Sequence, residues 1–130
     1  MGNVELDVQF SPQRLKAFSR NEVKMDITIK NLTQSVFWGE CEIRVASPLS
    51  LAHDSEMNAV RARIGILKPG ASATRPVKLF TRPNNYPDEY GFTLVAYLYD
   101  EDAAISERVE KRVSIMCSQE ESTRPVQDKK

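Results

Sequence analysis

The sequence holds one histidine, two cysteines, one tryptophan and no excess of charge, with 18 basic against 18 acidic residues. His53, with Cys41 and Cys117 far apart, gives no ligand spacing for zinc. A balanced chain lacks the basic excess of a general nucleic-acid binder or of a protein that clings to anionic lipid. No stretch approaches the ~18 consecutive apolar residues of a membrane helix, so membrane insertion is not expected. Met1-Gly2-Asn3-Val4-Glu5-Leu6 has no basic region followed by an apolar one, so a signal peptide is not expected here. Leu6 stands where a myristoylation motif needs Ser or Thr. The expected location is cytoplasmic, or extracellular if the chain is an excised domain of a secreted protein. The two cysteines read as free thiols packed like small hydrophobes, which favours a reducing compartment.

What the sequence does hold is a period of two. Its 130 residues, 41% hydrophobic and 28% charged, are one domain's worth of ordinary globular composition. Val4, Leu6, Val8 and Phe10 alternate with polar residues, which predicts a first strand ended by Ser11-Pro12. Residues 11–21 read as a loop with Leu15 and Phe18 tucked under one end. Val23, Met25, Ile27 and Ile29 make the second strand, and Asn31 to Gln34 the turn after it. Phe37, Cys41, Ile43 and Val45 alternate with Trp38, Glu40, Glu42 and Arg44 in the third, where Gly39 marks a bulge. Residues 46–58 are a polar loop. Val60, Ala62, Ile64 and Ile66 point inward on the fourth strand, with Arg61 and Arg63 outward. Lys68-Pro69-Gly70 is a tight turn. Val77 and Leu79 point inward on the fifth strand, whose first half is an edge or bulge because of Pro76.

Residues 82–88 form a loop, and the nearly continuous apolar run Tyr90–Tyr99 reads as a central sixth strand. After the turn Asp100-Glu101-Asp102, Val109, Val113 and Ile115 lie on the seventh. Ala103, Ala104 and the run Ser106–Lys111 also suit a helix over residues 100–117, but the alternation at Arg112–Ile115 favours a strand. Seven short strands at turn spacings near ten residues predict an all-β, immunoglobulin-like antiparallel β-sandwich of two sheets over residues 1–117, with a disordered tail over 118–130. Placing the first, second, fifth and fourth strands in one sheet sets acidic Glu5 and Asp7 beside mixed Lys24, Asp26 and Lys30. Basic Lys78, Arg61 and Arg63 then come next across the sheet.

Three segments carry a resemblance: Val23-Lys24-Met25-Asp26-Ile27-Thr28-Ile29-Lys30-Asn31, then Ile66-Leu67-Lys68-Pro69-Gly70 with Val77-Lys78-Leu79, then Tyr90 to Asp100. Together they resemble the cell-adhesion-related domains called CARDB and similar immunoglobulin-like accessory modules, over roughly residues 4–117. The resemblance implies a non-catalytic module, and it carries over no functional residue.

Catalytic chemistry finds little footing. His53 adjoins Asp54, with Ser50, Ser55 and Glu56 nearby, but neighbours in a polar loop usually face water rather than converge. No catalytic residue, metal or cofactor is assigned. Asp100, Glu101 and Asp102 with Asp88 and Glu89 could hold calcium only if their two loops met. Asn31-Leu32-Thr33 fits a glycosylation sequon.

The useful anomaly is aromatic. With Phe92, Leu94, Ala96 and Leu98 inward, Val95, Tyr97 and Tyr99 face outward, and Trp38 joins them by parity. Glu40, Glu42, Arg44, Arg108 and Arg112 border the patch. The opposing reading is that a bulge at Gly39 returns Trp38 to the core. The partner face is therefore placed at Trp38, Val95, Tyr97, Tyr99, Arg44 and Arg112, on the sheet of the third, sixth and seventh strands. The expected function is a non-catalytic interaction or structural module that self-associates or binds a protein. Its alternative is a calcium- or carbohydrate-dependent adhesion module. Glu40 and Glu42 in the patch argue against nucleic acid.

Overall fold

The computed structural model describes residues 3–119, and the tail expected over 118–130 lies, from residue 120 on, outside them. Alternating apolar positions force β-strands, and each strand turns its apolar row to a shared interior. Nine strands occur among the described residues: β1 (Val4–Ser11), β2 (Arg14–Lys16), β3 (Asn21–Asn31), β4 (Phe37–Arg44), β5 (Leu49–Ser50), β6 (Ala59–Leu67), β7 (Ser72–Thr81), β8 (Asp88–Tyr99) and β9 (Ile105–Ser118). They form two sheets, ordered β1-β3-β7-β5 and β2-β9-β8-β4-β6. The architecture is the all-β immunoglobulin-like sandwich that the alternation predicts. The seven long strands are those read from the sequence, and the two short ones are additions.

The core lies between β3 and β8. Val23, Met25, Ile27 and Ile29 of β3 are fully buried, and they share one cluster with Cys41 and Ile43 of β4 and Phe92, Leu94 and Leu98 of β8. Each such aliphatic contributes about 1.5–3 kcal/mol by leaving water. β8 lies between β9 and β4, which is why its sequence is nearly continuous in apolar residues. Tyr90, near the start of β8, donates its hydroxyl to the Tyr86 carbonyl at 2.6 Å, the tyrosine corner of immunoglobulin-like sandwiches.

Several expectations need correction. β6 does not join β1, β3 and β7; it pairs with β4 along its whole length. Arg61 and Arg63 therefore face outward on the aromatic sheet, opposite Glu42 and Glu40, where the opposite charges match. The 11–21 loop contains β2, which runs parallel to β9. Leu15 is buried as expected, but Phe18 is exposed. Residues 105–118 are strand throughout, so the helix alternative fails. Pro76 does sit on an edge: β5 covers β7 only at Phe80 and Thr81.

The bulge beside Gly39 lies on the opposite strand. Gly39 pairs with Gly65 and Glu40 with Arg63, leaving Ile64 as the extra residue. Gly65 has a φ of 130°, a conformation open to glycine. Gly39 faces inward, where a Cβ would stand 3.1 Å from the Leu67 side chain and 3.3 Å from that of Leu98. The extra residue reverses the facing of the rest of β6, so Ile66 points outward and Leu67 inward.

One fully buried asparagine ties the loops at each end of the sandwich. Asn31 donates to the carbonyls of Leu67 (2.9 Å) and Ser35 (2.7 Å) and accepts from the Thr33 N–H and hydroxyl. Its backbone joins the turn at Lys68–Ala71, where Ala71 N–H donates to the Lys68 carbonyl around Gly70 at φ 77°. Asn85 at the other end donates to the Lys16 carbonyl (2.8 Å) and to the Cys117 sulfur, and accepts from Ser19 N–H. Both hydrogens of the Asn31 amide are engaged inside the protein, so the sequon there does not present a free acceptor.

Candidate functional site

The outer face of the β2-β9-β8-β4-β6 sheet is built from rows of cross-strand neighbours. From β6 to β9, the first row is Ile66–Trp38–Tyr99–Ile105. The second is Arg63–Glu40–Tyr97–Arg108, and the third Arg61–Glu42–Val95–Glu110. The fourth is Ala59–Arg44–Thr93–Arg112. Chemistry changes along this ladder, from apolar at the end to self-paired charge in the middle.

The middle rows are closed upon themselves. Tyr97 donates its hydroxyl to Glu42 at 3.1 Å, and Tyr99 donates to Glu40 at 3.0 Å. Arg61 lies over the Tyr97 ring, 4.6 Å from its centroid, and reaches Glu42 at 3.4 Å and Glu40 at 3.7 Å. Arg44 grips Glu42 with two bonds of 3.1 Å each. That grip, with the Tyr97 bond adding to it against burial, holds the Glu42 carboxyl below its usual range. Burial and the Glu40 bond push the Tyr99 phenol up.

The end row is open. Trp38 stacks on Tyr99 with ring centroids 4.4 Å apart and planes 22° from parallel. Ile66 on one side of this plate is 71% exposed and Ile105 on the other 55%. Val36, 55% exposed, continues the surface, and with Ser35, Phe37, Asp100, Glu101 and Ser106 it encloses a hollow of about 640 Å³. An apolar row of this extent with a polar rim is the form a contact surface takes. The Tyr99–Glu40 bond holds one half of the aromatic plate, and Asn31 holds the segment leading into Val36. Asp100 shapes the hairpin: its carboxylate accepts from the N–H groups of Asp102 (2.9 Å) and Ala104 (3.0 Å).

The expected partner residues thus separate. Trp38 stays on the outer face, so the reading that returns it to the core is overturned. Trp38 and Tyr99 lie in the open row. Val95 is fully covered and Tyr97 only 7% exposed, because the paired charges lie over them. Arg44 and Arg112 belong to the far row, where Arg112 bonds Thr93 at 3.2 Å. Ile66, Ile105 and Val36 join the surface without having been expected there. The signal for Ile66 is Gly65 followed by two consecutive apolar residues, a break in alternation.

The other candidate chemistries do not assemble. The Ser50 hydroxyl donates to main-chain carbonyls of Ala52 and Ser55 and accepts from Met57 N–H, so it shapes its loop. His53 sits with its ring edge-on to Phe80 at 5.9 Å, in an exposed loop. Asp88 opens β8 and Asp100 comes just after its end, about 35–40 Å apart at ~3.3 Å per residue, so the two acidic loops cannot share a calcium ion. Cys41 and Cys117 are buried and unlinked. Burial pushes the Cys41 thiol up to about 12 and the Cys117 thiol also upward. No described helix is long and apolar enough to cross a membrane.

No family model matches the sequence, and no curated protein matches it. Solved structures do match. E. coli alpha-2-macroglobulin in its native conformation aligns over 92% of this chain at 16% identity with a TM-score of 0.62, and the chain spans 7% of that protein's length. AvmM, which catalyses macrocyclization in alchivemycin A biosynthesis, aligns over 91% of this chain and 90% of its own at 12% identity, with a TM-score of 0.56. The bacterial hydrophobin BslA aligns over 92% and 98% at 14% identity, with a TM-score of 0.51. At such identities the likeness is one of fold: the chain is an immunoglobulin-like β-sandwich domain. None of these names CARDB. One fold serves proteins this different, so function is argued from the site.

Proposed function

We propose that the chain is a non-catalytic interaction module that binds protein through the apolar row Ile66–Trp38–Tyr99–Ile105 and the hollow beside it. The observation that carries the reading is the exposure of Ile66 and Ile105 on either side of a stacked Trp–Tyr plate. An isolated exposed isoleucine means little, but four apolar side chains in one cross-strand row cost solubility unless a partner covers them. Aromatic anchors in a hollow edged by polar groups are the usual centre of a binding surface. The surface is small, so the contact is transient, with a dissociation constant on the order of micromolar. The buried, unlinked thiols suit a reducing compartment.

Peptides selected from a random displayed library against the folded protein test this. Trp38, the sole tryptophan, serves as the reporter. Selected peptides are expected to shift its emission and to lose at least tenfold in affinity for Ile66→Lys. Peptides that bind Ile66→Lys as well as the parent, or leave Trp38 unperturbed, contradict the reading.

A further inference from the structure

The end of the sandwich opposite the apolar row presents a second exposed aromatic feature. Phe18, 47% exposed, meets Tyr86, 65% exposed, edge to face at 5.4 Å. Phe18 adopts a φ of 60°, a conformation a bulky residue avoids, and its N–H donates to the Asn85 carbonyl at 2.9 Å. The buried Asn85 side chain fixes the flanking residues Lys16 and Ser19. Tyr86 is held through its carbonyl by Tyr90. Two aromatic rings are thus kept in water by a framework rigid enough to sustain backbone strain.

Charge distinguishes the two ends. Beside the hollow, Asp100, Glu101 and Asp102 pair with no described lysine or arginine. The segments flanking Phe18 and Tyr86 carry exposed Arg14, Arg20 and Arg82, and none pairs with a described carboxylate. The acidic groups nearby are otherwise engaged: Asp88 accepts from Glu89 N–H, Glu89 from Ser114, and Glu22 from Lys78. An apolar hollow with an acidic rim at one end therefore faces outward from the same chain as an aromatic pair flanked by guanidinium groups at the other.

We infer that the occupant of the hollow is a second copy of this chain, which inserts its Phe18–Tyr86 pair against Trp38, Ile66 and Tyr99. The inference rests on the row being a docking surface and names what docks there. Self-pairing along the edges is hindered at β6 and β1, where Arg75 and Lys111 each occupy a main-chain carbonyl. Such a contact is head to tail. It uses a different surface on each copy, leaves one of each free, and so propagates into open linear assemblies rather than closing as a two-fold dimer.

Sedimentation velocity over a concentration series tests this with Ile66→Lys and Tyr86→Glu, both at exposed positions, with circular dichroism confirming their folds. The parent is expected to show a weight-average sedimentation coefficient that climbs with concentration and reaches no plateau. Each variant alone is expected to be monomeric. Their equimolar mixture is expected to form a dimer and nothing larger, since one intact hollow meets one intact aromatic pair. A plateau at dimer that ignores Tyr86→Glu overturns the inference in favour of hollow-to-hollow pairing. A monomeric parent that still binds the selected peptides through Ile66 overturns the self-occupant and leaves the docking surface standing. A monomeric parent without peptide binding removes both.

Discussion

The guanidinium of Arg75 on β7 donates to the main-chain carbonyl of Arg63 on β6 at 2.8 Å, bridging one open corner of the sandwich. At the opposite corner Lys111 on β9 donates to the Leu6 carbonyl on β1 at 2.9 Å. The edge strands β6 and β1 thus each have a carbonyl occupied by a cation from the facing sheet. Unprotected edges template pairing with other chains. The double variant Arg75→Ala with Lys111→Ala is expected to aggregate faster on heating, as followed by light scattering, while changing stability by no more than about 1 kcal/mol per site. Lys30→Ala, which removes an exposed charge but uncovers no carbonyl, serves as control and is expected to behave as the parent. Equal aggregation of all three contradicts edge protection by these cations.

Asn31 carries an unusual share of the order at the end that bears the apolar row. Asn31→Ala leaves the carbonyls of Leu67 and Ser35 without their side-chain donor and frees Thr33 from its acceptor. Buried groups left unpaired cost about 1–3 kcal/mol each. Urea unfolding is expected to show a loss of about 2–4 kcal/mol. A loss below about 1 kcal/mol indicates that water replaces the amide and that Asn31 does not hold the segment.

Asn31 and Asn85 mark the boundary of what is legible in the sequence. The strands and their inward faces follow from alternation, because an apolar row every second residue can be satisfied only by a sheet with one dry side. The two asparagines read as ordinary turn residues, since a side chain that bonds loop carbonyls from inside the fold has no local signature. The placement of β6 is hidden for a similar reason. A strand's own pattern says which face is buried but not which sheet it joins. Arg61 and Arg63 suit a place beside Glu42 and Glu40 as readily as one at the basic end of a graded sheet. The aromatic face is legible at Trp38 and Tyr99, and parity alone extends it too far. Val95 and Tyr97 face outward as parity requires, yet they lie beneath Arg61 and its carboxylate partners, and facing outward is not the same as being exposed.

The paired charges over Tyr97 give the protein an acid-side dependence. The Glu42 carboxyl, gripped chiefly by Arg44, has a folded value below its unfolded one near ~4.3. A depressed carboxylate contributes stability that is complete above the unfolded value and disappears as pH falls through the folded one. Stability is therefore expected to decline on acidification below about pH 4.3. Glu42→Gln is expected to be less stable at neutral pH and to show a shallower decline. An identical acid slope in the two proteins contradicts the assignment.

Burial of the cysteines has a chemical consequence. With its thiol raised to about 12, Cys41 holds almost no thiolate at neutral pH, and Cys117 is shifted in the same direction. A thiol-specific chromogenic reagent at mildly alkaline pH is expected to label neither residue in the folded protein and both in denaturant. Labelling that matches free cysteine in the native state places the thiols outside the core.

The bulge at Ile64 turns Ile66 outward, and the proposed contact surface is therefore the end row rather than the covered centre of the sheet. The affinity of one selected peptide for two variants measures this directly. Ile66→Lys alters the open row, and Tyr97→Phe removes only a hydroxyl from the covered centre. The expected result is at least a tenfold loss for Ile66→Lys and a change within about twofold for Tyr97→Phe, about 1.4 kcal/mol against less than about 0.5 kcal/mol. The reverse order, with Tyr97→Phe the damaging change, contradicts a contact surface at the end row.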